Sequence, residues 1–268
     1  MAIVMRESRD LVYLVDDEIR VPHAFTTRLG GVSEGVFASL NLGINRGDNR
    51  DAVTENYRRI TRLLGTAAED LVFSRQVHGD RVRVVTSVDQ AVDIFRPTEH
   101  EADGSVTIER DLPLAAFYAD CIPILLWDES TGAVGAVHAG WRSTVLDIVG
   151  RAVEKLLLLS DGNPQTIRAA IGPGIGPCCF EAGPEVPEAV TACLGDEARF
   201  CIQDVAPGKF VVDLKETNRR LLLRRGLLPA HISAAEHCTM CMPELFWSHR
   251  FHGEDRGSQA ALILSPEG

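Results

Sequence analysis

Residues 122–138 read IPILLWDESTGAVGAVH: two apolar runs, 122–127 and 133–138, on either side of the polar DESTG. Two strand-like runs joined by so short a polar stretch read as a hairpin. A doubly wound fold demands instead a strict alternation of strand and helix. Outward from this hairpin, further strand-like runs fall at 11–15, 21–27, 71–76, 81–87, 112–118, 166–171, 209–214 and 259–264. Helical periodicity is rarer. Val53, Tyr57, Ile60 and Leu64 recur at spacings of four, three and four, and Gly65 closes the pattern. A second helix is expected after Gly140, with Ser143 or Thr144 as its cap, because Val145, Ile148, Val149, Ala152, Val153, Leu156 and Leu157 then share one face. A third is expected over about 214–225. With no internal repeat, low-complexity tract or long linker, the chain reads as a single α+β domain over residues 1–268, built of mixed β-sheets with flanking helices.

The 268 residues are 45% hydrophobic and 24% charged, and Lys+Arg 27 against Asp+Glu 38 leaves a formal net charge of −11. A chain of this length buries most of its apolar surface without staples, so stability alone requires no metal. The acidic balance, with no basic stripe, argues against nucleic acid as a partner. No apolar run, 122–127 and 156–159 included, approaches the ~18 apolar residues that span a bilayer, so no membrane is expected. The N-terminal MAIVMRESRDLVYLV meets Arg6, Glu7, Arg9 and Asp10 before an apolar stretch of signal length develops, which disfavours export. Seven cysteines without a framework spacing fit a reducing, cytoplasmic location. A monomer is expected.

Three metal-competent side chains sit at the ends of apolar strands beside small residues: His78 in FSRQVHGDRV, Cys121 in FYADCIPILL and His138 in GAVGAVHAGWRST. If they converge, two imidazoles and a thiolate make a three-ligand zinc site with an open fourth position. Otherwise, Cys121 is a candidate nucleophile activated by His138. The start of the helix after Gly140 offers free amides near Arg142, Ser143 and Thr144, an anion site for which Arg142 supplies the charge. The stretch IGPGIGPCCFEAG is no P-loop, since no Lys-Ser/Thr follows and Pro173 and Pro177 each remove an amide; it reads as a rigid turn. The CTMC at 238–241 is a solitary CxxC with no second pair at zinc-finger spacing, and reads as ordinary thiols. Arg28 and Asn41 lie in Gly-rich loops, where they either face a ligand or serve turn chemistry, and turn chemistry is the preferred reading.

Collected in order, TTRLGGVSEGVFASLNLG, RQVHG, EADGSVT, ADCIPILL, GAVHAGWRST, IGPGIGPCCFEAG and the late CT with FWSHR resemble the YfiH-type laccase-domain family over nearly the whole chain. That family has also been called polyphenol oxidase, peptidoglycan editing factor and purine nucleoside phosphorylase. The resemblance implies a mixed α+β fold related to the catalytic domain of the cytotoxic necrotizing factors. It implies zinc ligation by His78, Cys121 and His138. It also implies purine nucleosides and inorganic phosphate as substrates: phosphorolysis of adenosine, inosine, guanosine and methylthioadenosine, and hydrolytic deamination of adenosine. Two departures stand out: GWRST replaces GWRGT, and FWSHRF replaces FFSYRR, so that His249 stands for the tyrosine, Phe251 for the second arginine, and Arg250 is carried over.

Two other enzyme classes and one binding role compete with this reading. A multicopper laccase needs about ten histidines, mostly in HxH pairs, and this chain has eight and no HxH. Copper at the His78, Cys121, His138 site would leave polyphenol oxidation as a side activity. A metal-independent Cys121–His138 hydrolase acting on a peptidoglycan precursor is the second reading, and a non-catalytic partner of an envelope complex the third.

Overall fold

The computed structural model describes residues 3–91, 93–96 and 98–267. Its centre is the expected hairpin. Ile122–Asp128 and Val134–Ala139 pair antiparallel, with Ile122 opposite Ala139 and Trp127 opposite Val134. The turn closes on Gly132, whose φ of +77° suits glycine, and on Asp128, whose carboxylate accepts from the Ser130 amide and from the hydroxyls of Ser130, Thr131 and Thr166.

Around the hairpin a mixed six-stranded sheet runs in the order Ile232–Ala234, Ile167–Ile171, Ile122–Asp128, Val134–Ala139, Gly104–Thr107, Val82–Val84. Its two outermost pairs are parallel and the inner three antiparallel. A second, antiparallel sheet has the order Ile3–Ser8, Leu11–Asp16, His23–Thr26, Gln259–Ile263, Leu114–Tyr118. A small third sheet joins Glu181–Ala182, Lys209–Val212 and Ile202–Ala206.

Both hairpin strands are buried at every residue, and the period of two explains how. Ile122, Ile124, Leu126, Val137 and Ala139 pack on the helical side, against Ile148, Val149, Ala152, Val153 and Leu156. Leu125, Trp127, Val134 and Ala136 point the other way, onto Leu14, Phe25, Leu114, Ala116, Ala261 and Ile263 of the five-stranded sheet. That sheet's far face carries Leu11, Ala115, Ala260 and Leu262, which pack against Val53, Tyr57 and Ile60 of the helix Arg50–Thr61. The order of layers is therefore helices, sheet, sheet, helix.

Two sequence expectations need correction. The helix after Gly140 is two helices, Trp141–Val145 and Ile148–Ser160. Gly140 occupies the first N-cap, with Ser143 and Thr144 inside the first helix, and Asp147 caps the second. The break lies at Asp147, which takes left-handed φ of +58° while its carboxylate accepts from the Gly150 amide and pairs with Arg225. The run at 71–76 is not a strand. It leaves one sheet for the other, bridging Leu114 at Val72 and Glu101 at Arg75, so neither pairing reaches strand length. The side chain of Gln76 takes the place of a neighbouring strand, bonding both the N–H and the C=O of Phe117 at 2.7 Å. The third expected helix is present as Leu214–Arg224, capped by Asp213.

His23 opens a strand of the five-stranded sheet as a neutral ring: Nδ1–H donates to the Val21 carbonyl at 2.8 Å, and Nε2 accepts from the Asp16 amide at 2.9 Å. Burial is the main reason its pKa is lowered from 6.5. Protonation would abolish the second bond, so the unfolded chain binds the proton more readily than the folded one. Stability from this residue is complete above about pH 6.5 and declines as the pH falls towards the folded value. We expect the urea midpoint to drop between pH 7.5 and pH 5, and to drop less in His23→Gln. Equal slopes for the two proteins would show that His23 does not carry the effect.

Candidate active site

The hairpin register that sets Ile122 opposite Ala139 puts Cys121 beside Gly140 and two residues from the level of His138, on the same face. His78 arrives from a separate loop. Its φ is +59°, a left-handed conformation that costs a non-glycine residue about 1–2 kcal/mol. Asp103 holds that loop in place. Its Oδ2 accepts from the amides of Val77 at 3.1 Å and Gly79 at 2.8 Å, and its Oδ1 from the amide of His78 at 2.9 Å. The same Oδ1 lies 2.9 Å from Nδ1 of His138, and the backbone carbonyl of Asp103 accepts from the His138 amide at 2.7 Å. One residue thus fixes both histidines, and leaves Nε2 of His138 free to ligate.

One donor atom each from His78, Cys121 and His138 lies within 4.8 Å of the others. The imidazoles are edge to face, their centroids 4.9 Å apart. Gly140 is required by this closeness: a Cβ there would meet Cδ2 of His78 at 2.8 Å and Sγ of Cys121 at 3.2 Å. Electrostatics favour the ligating thiolate at Cys121 and a protonated His138, whose Nε2 proton a bound ion would displace. Burial pushes the Cys121 thiol up, but His138 and His78 outweigh it and bring the thiol down to about 6. Burial would lower His138, yet Cys121 and Asp103 raise it to about 9. Burial also lifts Asp103, and its bonds to His138 and the loop amides pull it below the usual carboxylate value. The donor set, two imidazoles and a thiolate, is that of a three-ligand metal site.

Beside the triad lies a cavity of about 330 Å³. Its wall includes His78 and Cys121, apolar Trp141, Ile175, Phe180 and Leu214, and the guanidinium-bearing Arg46, Arg250 and Arg256. Arg256 donates from Nη1 to the Gly257 carbonyl at 2.9 Å, while its buried Nε has no partner. Burial first, and Arg46 second, pull this guanidinium down to about 10, still charged at neutral pH. Arg250 is placed by Asp120, whose Oδ2 accepts from the Arg250 amide at 2.6 Å and whose Oδ1 accepts from the Thr239 hydroxyl at 2.6 Å. A larger hollow of about 520 Å³ lies between the turn at Arg9 and the helix Arg50–Thr61, but no histidine or cysteine lines it.

Of the residues marked in the sequence, the structure brings together His78, Cys121, His138 and Arg250, and sets three others elsewhere. Arg142 is exposed and stacks on Trp141, 4.3 Å from the ring centroid, outside the cavity lining. The anion site expected at that helix start is reduced to five helical residues, with the Thr144 amide already bonded to Gly140. Arg28 serves the loops: it donates to the carbonyls of Ala38 and Pro243 and lies 3.8 Å over the Trp247 ring. Asn41 is fully buried, donating to Asp48 and accepting from the amides of Gly43 and Ser258, which is turn chemistry. Asp103, Arg46 and Arg256 were not legible as site residues. The CTMC pair is not solitary in space, for the sulfurs of Cys238 and Cys241 meet those of Cys178 and Cys179 within 4.8 Å.

Residues 22–266 match the family described as multi-copper polyphenol oxidoreductase laccase. The chain belongs to that family. Purine nucleoside phosphorylase YlmD of Geobacillus stearothermophilus is 39% identical to this laccase-family chain over 240 residues, 89% of this chain and 86% of its own. Adenosine deaminase RL5, from an unknown prokaryotic organism, is 34% identical over 240 residues, 87% and 90% of the two chains. The crystal structure of YlmD from G. stearothermophilus superposes with a TM-score of 0.92 at 36% identity over 100% of both chains. YfiH of Bacillus licheniformis does so with 0.91 at 33%, over 97% and 98%. The α+β fold expected from the sequence is the fold of these relatives. The copper in the family description does not fit a trinuclear centre here: among the described residues, His, Cys and carboxylate donors gather as the His78 triad and the four-cysteine group, neither of them a histidine cluster.

Replacing Asp103 by Asn removes the acceptor charge that orients His138. We expect the affinity of the triad for zinc to fall about 10–100-fold, measured by competition with a chromophoric chelator, with the far-ultraviolet circular dichroism unchanged. Wild-type affinity in Asp103→Asn would show that His138 needs no such partner.

Proposed function

We propose that this chain is a zinc-dependent purine nucleoside enzyme, one YfiH-type domain over residues 1–268, that phosphorolyses adenosine, inosine, guanosine and methylthioadenosine and hydrolytically deaminates adenosine. The observation that carries the reading is a single cavity lined both by His78 and Cys121 of the donor set and by three arginines. The names of the relatives, phosphorylase and deaminase, agree with it.

His78, Cys121 and His138 would hold the zinc, which when bound supplies a Lewis acid and a water of lowered pKa, ~7 in the best cases. The chain's own residues account for the rest of the site. Arg46, Arg250 and Arg256 take the place expected of Arg142 and hold inorganic phosphate, the partnerless Nε of Arg256 donating to an oxygen. Phe180, Trp141 and Ile175 give the purine and ribose an apolar wall that excludes water. In phosphorolysis a phosphate oxygen forms the new bond to ribose C1′ while the bond to N9 breaks, and the purine departs with that electron pair and takes up a proton. Asp120 acts by placement, both of its oxygens being engaged by Thr239 and Arg250.

One observation favours a second reading. A thiolate at Cys121 beside a protonated His138 is also the resting pair of a cysteine nucleophile. The three arginines of the cavity, whose wall also holds Asp120 and Glu254, suit the inorganic phosphate that the nucleoside reading requires.

Metal content and adenosine turnover, with and without phosphate, on wild type and His78→Ala separate the two. We expect wild type to release adenine only with phosphate and inosine without it, and His78→Ala to lose metal and both products together. Metal-free wild type that turns over no nucleoside would favour the Cys121–His138 hydrolase instead. For the cationic wall, Arg256→Gln should raise the KM for phosphate about tenfold or more, as expected for a lost charge-assisted bond, while adenosine deamination changes little. An unchanged KM would remove Arg256 from the phosphate site.

A further inference from the structure

Outside the cavity, four thiols that the proposed chemistry does not use gather at one place. Cys178 and Cys179 follow the turn that leaves the strand Ile167–Ile171, and Cys238 and Cys241 form the CTMC turn some 60 residues later. Their sulfurs lie within 4.8 Å of one another, with 3.5 Å between Cys178 and Cys241 and 3.3 Å between Cys179 and Cys241. All four are free thiols. Zinc–sulfur bonds of about 2.3 Å in a tetrahedron set sulfurs roughly 3.8 Å apart, so the group closes around a single ion with small side-chain adjustments.

The backbone is built to hold this geometry. Gly174 pairs with Cys238 in an isolated parallel bridge, and the Thr239 amide donates to the Gly174 carbonyl at 3.1 Å. The Gly176 amide donates to Sγ of Cys238 at 3.2 Å, the kind of N–H to sulfur bond that orients a thiolate ligand. A Cβ on Gly176 would stand 3.3 Å from both Cys178 Sγ and Cys238 Cβ, so a glycine keeps the two turns in contact. A buried ammonium sits close by: Lys215 donates to the carbonyls of Ala235 and His237 at 2.7 Å, in the stretch that enters Cys238. A charge at this place offsets part of the negative charge that four thiolates would bring.

We infer that Cys178, Cys179, Cys238 and Cys241 hold a second zinc ion in a closed all-thiolate site. Four sulfur ligands leave no position for water or substrate, which makes the site structural, and soft thiolates favour zinc over hard cations. Its purpose follows from what it joins. One turn carries Ile175 and Phe180 into the cavity wall, and the other carries Thr239, which bonds the Asp120 that places Arg250. The ion would clamp together two segments of cavity wall that the sheets alone leave linked by one bridge.

The test uses the full chain and counts metal. Wild type should hold about two zinc ions per chain, the double variant His78→Ala, His138→Ala about one, and the double variant Cys178→Ser, Cys241→Ser about one. Cobalt loaded into the His78→Ala, His138→Ala protein should give the intense sulfur-to-metal charge-transfer bands of a tetrathiolate site. This arm keeps all four cysteines and does not depend on the serine variant folding. The inference is overturned if the histidine double variant binds neither zinc nor cobalt, or if denatured, unreduced wild type shows fewer than its seven reactive thiols because these cysteines are paired as disulfides. Were the His78 site to hold no zinc, wild type and the histidine double variant would each carry about one ion and the cysteine double variant none, so the two metal assignments fail separately.

Discussion

The carboxylate of Asp103 is the constraint on which the candidate site rests. It accepts three successive loop amides and one imidazole, and its carbonyl takes the amide of His138. A carboxylate so occupied cannot be replaced by a neutral side chain without leaving donors unpaired in a buried place, where each unmade bond costs about 1–3 kcal/mol. The loop bearing His78 would have no reason to keep a left-handed residue without it. The geometry of the donors is therefore not a property of the three themselves but of the acid that none of them resembles.

Asp103 can do this because of where the sheet puts it. It immediately precedes Gly104–Thr107, whose Gly104 pairs with Val137 beside His138. The adjoining hairpin pair brings Cys121 to the same edge. Burial on both faces pins the register, since a slip by one residue would exchange the helix-facing and sheet-facing sets and bury neither properly. Sheet packing, remote from the cavity, is in this way what sets the spacing of the donors.

The parts of this arrangement that were legible in the sequence are those with local causes. The hairpin shows as two uniform apolar runs about a polar turn, and Cys121 and His138 stand out as polar groups at their ends. The break at Asp147 was hidden because apolar positions continue in phase across it, from Val145 to Ile148 and Val149, and nothing local distinguishes a capping aspartate from a surface one. Asp103 was missed because its role depends on a strand pairing 33 positions away, and Arg46 and Arg256 because each lies in a loop without periodicity. Arg28 and Asn41 stood open between two readings for the opposite reason: a polar group in a Gly-rich loop is as useful for satisfying the loop's own amides and carbonyls as for meeting a ligand. The four cysteines form two local pairs whose meeting only the Gly174–Cys238 bridge reveals.

The donors differ in how firmly they are held. Cys121 and His138 belong to the doubly covered hairpin, which opens only with the whole core, whereas His78 is exposed on a loop kept by a handful of hydrogen bonds. Local fluctuation at residues 77–79 withdraws one donor and leaves the other two in place. An ion held by the three donors would then exchange at the pace of a loop rather than of unfolding, with the hairpin left closed.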